Sequence, residues 1–149
     1  MRPALLPLIL TATVLFAGCA ATQDPAPRHA YGVWQSVLPC ADCPGIDTRL
    51  TLYRHPDTYR LEETYQERDP APVVHEGSWA LLPPQDPMDL GRVQLEGANE
   101  RPLRSFRRLP DGNLEMLGRD GEAIHSPLNY TLTRKRLSEG DADHVGEGE

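Results

Sequence analysis

The sequence predicts an all-β domain, a small antiparallel up-and-down barrel, on three observations. Short runs in which apolar and polar residues alternate with period two recur along the chain, roughly eight of them. Fifteen prolines and twelve glycines in 149 residues punctuate those runs with turns. No stretch carries the 3.6-residue periodicity of an amphipathic helix of useful length. Consecutive hairpins give the up-and-down order, and closure removes exposed edges from so short a chain.

The first run is Tyr31, Val33, Gln35 and Val37 alternating with Gly32, Trp34, Ser36 and Leu38. It leads directly into Pro39-Cys40-Ala41-Asp42-Cys43-Pro44-Gly45, a tight loop. Ile46, Thr48, Leu50 and Leu52 then alternate with Asp47, Arg49, Thr51 and Tyr53, a strand with one apolar face. His55-Pro56-Asp57 is a turn signal, after which Thr58 to Glu67 repeats Tyr59, Leu61 and Tyr65 by twos and completes a hairpin. Asp69-Pro70-Ala71-Pro72 breaks the chain; Val73 to Leu81, with Gly77-Ser78-Trp79 inside it, resumes it. Pro83, Pro84 and Pro87 make Leu82 to Gly91 a loop. Arg92 to Glu96, Leu103 to Leu109, Leu114 to Leu117 and Asn129 to Arg134 supply the remaining strands, parted by turns such as Pro110-Asp111-Gly112-Asn113 and Arg119-Asp120-Gly121.

The ends are different in kind. Residues 1–18 read as an export signal, with Arg2 at a positive start, an apolar stretch from Ala4 to Phe16 and small residues before Cys19. Leu15-Phe16-Ala17-Gly18-Cys19 resembles the lipobox of bacterial lipoproteins, with Phe16 where leucine is usual. The resemblance implies a mature N-terminus at a lipidated Cys19, and Ala20 after it, rather than aspartate, implies sorting to the outer membrane, with the domain facing the periplasm or the surface. An ordinary signal peptide with Cys19 as an incidental thiol is the competing reading. Residues 19–29 have the composition of a flexible tether, 30–136 form the barrel domain, and 137–149 are an acidic, glycine-rich disordered tail. The formal net charge of −7 makes nucleic acid a poor partner.

Lipidation of Cys19 leaves Cys40 and Cys43 as the pair of thiols, in an oxidising compartment. At this spacing they can bridge each other, hold a metal or exchange disulfides. A bridge closing about four residues contributes roughly 2 kcal/mol in the chain-entropy model, little for global stability. Exchange chemistry wants a thiol of low pKa, whereas Asp42 lies between the cysteines and a strand, not a helix, follows. Two thiolates suit Cu(I), while structural zinc normally takes four ligands. Met116, Met88, His29 and His125 are further ligand candidates, each better explained by its place in a core, turn or tether. The loop therefore reads as a rigid element, oxidised at rest and able to take a soft metal when reduced.

Val37-Leu38-Pro39-Cys40-Ala41-Asp42-Cys43-Pro44-Gly45-Ile46, followed in order by Thr48, Leu50 and Leu52, by Gly77-Ser78-Trp79, by Leu114-Glu115-Met116-Leu117 and by Asn129-Tyr130-Thr131-Leu132, resembles the N-terminal domain of NlpE-type envelope lipoproteins. The resemblance covers about Ala30 to Arg134. It implies a lipocalin-like barrel, a place in copper resistance and envelope stress sensing, and an inner-membrane stress sensor as partner. Well-known members carry a second, OB-like domain with its own cysteines; no such domain falls within these residues, so its functions are not expected of them.

Three other features bear on function. Arg101, Arg104, Arg107 and Arg108 are a basic cluster on an acidic chain, and alternation puts Arg104 and Arg108 on one face, as solvated exterior or as a docking patch for an acidic partner. An underfilled barrel could instead bind a small apolar ligand or lipid, the alternative function. Carboxylates such as Glu62 and Glu63 point to opposite faces of a strand, and no catalytic grouping stands out, so a non-enzymatic protein is expected.

Overall fold

The alternating runs become the eight strands of a closed barrel in strict sequence order, each antiparallel to the next. They are β1 (His29–Leu38), β2 (Ile46–Arg54), β3 (Thr58–Tyr65), β4 (Val73–Leu82), β5 (Arg92–Glu96), β6 (Pro102–Arg108), β7 (Leu114–Met116) and β8 (Thr131–Lys135). Pairs such as Trp34↔Arg134 join β8 to β1 and close the barrel. This computed structural model describes residues 28–97 and 101–137. The expected signal segment, Cys19, nearly all of the tether and the tail from Ser138 lie outside the described residues.

Strand ends differ from the expectation by a few residues, each for a local reason. The third strand stops at Tyr65 because the chain turns there, with Glu67 at φ 58° and the Arg68 N–H donating to the Tyr65 carbonyl. The seventh stops at Met116, and Leu117 makes an isolated bridge to Ala123. The last starts at Thr131 because the Asn129 side chain accepts the Thr131 N–H at 3.0 Å, a turn that sets the strand's first residue.

The period-two pattern selects the inward face. Trp34, Leu50, Leu52, Tyr59, Leu61, Trp79, Leu95, Phe106 and Leu132 meet in the barrel interior, nearly all free of solvent contact. Buried rings keep their polar atoms satisfied: Trp34 Nε1 donates to the Gly112 carbonyl and Trp79 Nε1 to that of Tyr53, both at 2.8 Å, and the Tyr59 hydroxyl donates to the Glu96 carbonyl at 3.0 Å. Gly77 stands opposite Tyr59, where a Cβ would come within 2.5 Å of the Glu96 carbonyl oxygen. Only a residue without a side chain lets that ring cross the barrel.

The described interior bears on the alternative of a bound apolar ligand. The cavity against Tyr31, Trp34, Val93 and Leu114 holds about 40 Å³, whereas ligand pockets begin at roughly 300 Å³. Two tryptophans, a tyrosine and a phenylalanine pointing inward fill a barrel of this strand number.

The barrel has two unlike ends. At the end where the chain enters β1, Tyr31 and Trp79 stack with centroids 5.5 Å apart, and the Arg54 guanidinium lies 4.7 Å from both ring centroids. Arg134 covers Trp34 in the same way at 5.6 Å. The other end carries the β1–β2 loop with its cysteines.

Candidate functional site: the disulfide end of the barrel

Leu38 is buried and Ile46 half-buried, so the seven residues between them must turn outside the barrel, and the proline on each side of the cysteines stiffens that turn. Cys40 and Cys43 are joined by a disulfide, with Cα atoms 5.3 Å apart. The loop is held from the β3–β4 turn. The Arg68 guanidinium donates to Asp42 Oδ2 at 2.6 Å, the Gln66 N–H donates to the Gly45 carbonyl at 3.0 Å, and the Gln66 amide donates to Asp47 at 3.1 Å. Val37 lies over Gly45, where a Cβ would approach it to 2.4 Å. Asp42 itself is exposed, so the loop presents an acidic tip beside the sulfurs. A shallow apolar groove of about 200 Å³, lined by Val37, Leu38, Pro39, Cys40, Pro44 and Leu128, runs along one side of it.

Beneath the loop the barrel lining turns polar. Glu63 points inward from β3, and its carboxylate is only 2% exposed. Arg104 of β6 reaches across to it, Nη2 to Oε1 at 2.7 Å, at ion-pair distance but out of line for a hydrogen bond. His75 Nε2 of β4 lies 3.8 Å from the other carboxylate oxygen. Thr48, fully buried, neighbours Glu63 in register and donates to the Ile46 carbonyl at 3.0 Å. Glu62, one residue earlier, faces outward toward Arg60 at 3.4 Å, the opposite orientation that alternation demands.

Of the residues singled out from sequence, Cys40 and Cys43 are brought together. Arg104 and Arg108 do share a face of β6, but it is the inward one, which corrects the expectation of an exterior patch. The register pairs Arg104 with Leu95, an interior residue; it is held by Glu63, while Arg108 donates to the Leu90 carbonyl at 3.1 Å near the far end. The outward neighbour Arg107 is held by Glu115. Met116 packs against the core, Met88 is 91% exposed in the β4–β5 loop, His29 opens β1 at the end away from the cysteines and His125 is exposed in the β7–β8 connection. Among the described residues no three or more His, Cys, Asp or Glu side chains gather as a metal site. Sequence reasoning missed the Glu63–Arg104–His75 cluster. Its signal was there: Glu63 occupies an apolar slot in the series Tyr59, Leu61, Glu63, Tyr65.

A filled, closed eight-stranded barrel with a disulfide-bridged loop pinned to its rim defines a small β-barrel module built to hold one rigid feature at its surface. The model of the NlpE N-terminal domain matches residues 34–127. The chain belongs to the NlpE N-terminal domain family. It is 34% identical over 121 residues, 80% of its length, to Lipoprotein NlpE of Escherichia coli K12, covering 45% of that protein. It is 35% identical over 83 residues, 55% of its length, to the 17 kDa lipoprotein of Treponema pallidum, covering 53% of it. The chain thus spans about half the length of the curated relatives it matches. Two solved structures share the fold. One is a lipoprotein of Shewanella oneidensis, at TM-score 0.54 and 26% identity over 71% of this chain and 89% of that one. The other is the Cpx pathway activator NlpE of Escherichia coli, at 0.51 and 33% over 72% and 52%.

Proposed function

We propose that this chain is an envelope lipoprotein, anchored through Cys19 in the outer membrane, that reports envelope stress by contact between its disulfide end and an inner-membrane sensor. The observation that carries the reading is the Cys40–Cys43 loop, bridged by its disulfide and pinned by Arg68 and Gln66 to the barrel. A rigid, exposed, acidic loop suits recognition by a protein partner, because little ordering entropy is lost on docking. The relatives' descriptions as lipoproteins and as a Cpx pathway activator support contact signalling over catalysis.

Copper homeostasis enters the proposal through the same loop. The two sulfurs already sit at bonding distance, so after reduction two thiolates converge on one point, a donor set that suits Cu(I). The cation would be held by Cys40 and Cys43.

The test is a Cpx-type stress reporter in a host lacking its own NlpE, expressing this chain at matched levels. The intact chain should raise the reporter, and Cys19→Ala and Asp42→Lys should each weaken that response. An unchanged response in both variants sinks the anchoring and contact readings. For copper, titrating the reduced chain with Cu(I) should show one equivalent bound, lost in the Cys40→Ser/Cys43→Ser variant; equal binding by that variant removes the thiolate site.

A further inference from the structure

On the outer face of β5 and β6 the register sets Arg92 directly opposite Arg107. Like charges in that relation destabilise a sheet unless something sits between them. For Arg107 it is Glu115 of β7, its partner in register, which accepts from Nε at 2.9 Å and also from Nη2. Arg92 has no such partner: no described residue forms a hydrogen bond or ion pair with its guanidinium, and its Nε–H is buried without an acceptor.

The guanidinium faces a surface cavity of about 380 Å³ between the β4–β5 loop and the turn at Gly118–Gly121. Gly121 leaves it space, since a Cβ there would lie 3.2 Å from Arg92 Nη1. Three carboxylates border the cavity. Asp86 accepts the N–H groups of Met88 and Asp89, at 2.8 and 3.1 Å. Asp89 accepts those of Gln85 and Gly91, both at 2.9 Å, and these bonds, with a smaller contribution from the nearby charges of Arg92 and Arg107, hold its carboxyl below the ordinary range. Both are thus occupied in shaping the loop. Glu122 stands exposed on the rim.

The Nη groups, which pair with no described residue, are the donors that can meet a ligand in the cavity, and a planar guanidinium presenting them matches an oxyanion. We propose that this cavity binds a phosphate group, free or on a lipid headgroup, with Arg92 as its principal donor. The site is separate from the disulfide end and does not depend on the function proposed for it.

The experiment uses the purified chain in phosphate-free buffer at low ionic strength. Inorganic phosphate, followed by calorimetry, probes a free anion. Phosphatidylcholine vesicles with and without one part in three phosphatidylglycerol, followed by co-sedimentation, probe a lipid headgroup. Saturable binding of either probe is expected, weakened tenfold or more by Arg92→Gln and tightened severalfold by Glu122→Gln, which removes the competing anion; the probe that binds identifies the source. Thermal melting adds a readout that a structural role would move: Arg92→Gln should leave the melting temperature unchanged or raise it. The proposal is overturned if neither probe binds, if Arg92→Gln binds as well as the parent, or if Arg92→Gln melts several degrees lower.

Discussion

The sharpest consequence of the structure concerns the ion pair under the disulfide loop. Replacing Arg104 by methionine leaves the Glu63 carboxylate, 2% exposed, with the His75 ring at 3.8 Å and no guanidinium beside it. Breaking one side of a fully buried pair costs about 3–5 kcal/mol. Here the Arg104 side chain is 25% exposed and its contact is off-line, so water can partly replace it and about 2–3 kcal/mol is the expected loss. Removing both charges with Glu63→Leu/Arg104→Met should return stability to within about 1 kcal/mol of the parent, because desolvation disappears along with attraction. The double-mutant cycle should then show about 2 kcal/mol of coupling. Urea unfolding followed by the fluorescence of Trp34 and Trp79 measures all four proteins, and m should stay constant. If Arg104→Met loses less than about 0.5 kcal/mol, or the double variant is no more stable than the single one, the pair is not a buried electrostatic unit and the reasoning fails.

Gly77→Ala should cost about 1–3 kcal/mol, since the new Cβ meets the Glu96 carbonyl at 2.5 Å and the Tyr59 ring at 3.1 Å; a neutral result in the same urea assay would mean the ring moves freely. Cys40→Ser/Cys43→Ser should lose no more than about 2 kcal/mol, because the bridge closes so short a loop, and a loss beyond about 4 would make the loop a global staple. Burial raises the Tyr59 hydroxyl above its ordinary value, with the Arg104 charge opposing. Stability from this group is therefore fully present below the unfolded pKa and falls as pH rises from there through the folded pKa. Tyr59→Phe should flatten part of that alkaline decline in urea midpoints and cost about 1 kcal/mol at neutral pH through the lost bond to Glu96; an identical alkaline decline would contradict the assignment.

The fold was legible because one face of nearly every strand is buried, and burial imposes period two whatever the rest of the sequence does. The runs through Leu50 and Leu52, and through Tyr59 and Leu61, could be read as strands for that reason. The disulfide loop was legible because two cysteines between prolines admit few conformations. What stayed hidden needed register. Arg104 looked like solvated exterior because its neighbours Arg101, Arg107 and Arg108 are charged, yet β6 alternates Arg104, Phe106 and Arg108 inward. Only the pairing of β6 with β5, and the crossing to Glu63 of β3, reveals that a charge occupies a core position. The free edge of Arg92 is hidden by the same logic, since its lack of a partner depends on where Glu115 falls in the next strand.

The contrast between the two ends bears on where a signal can enter. Arg54, Tyr31 and Trp79 close one end with stacked rings and a shared cation, contacts worth about 0.5–2 kcal/mol each and insensitive to small shifts. At the other end a buried carboxylate is met by a half-buried guanidinium and by a more exposed imidazole at the rim, and its environment depends on the placement of both. The disulfide loop sits above this second cluster and is tied to β3–β4, the hairpin that supplies both Glu63 and His75. Under the contact function proposed above, a force on the loop from a docking partner would pass through Arg68 and Gln66 to the hairpin that carries the buried Glu63 carboxylate. The apolar middle of the barrel, close-packed around Tyr59 and Phe106, resists the same motion. Under that proposal, the response is expected at the disulfide end, with the rest of the barrel as the rigid body against which it is read.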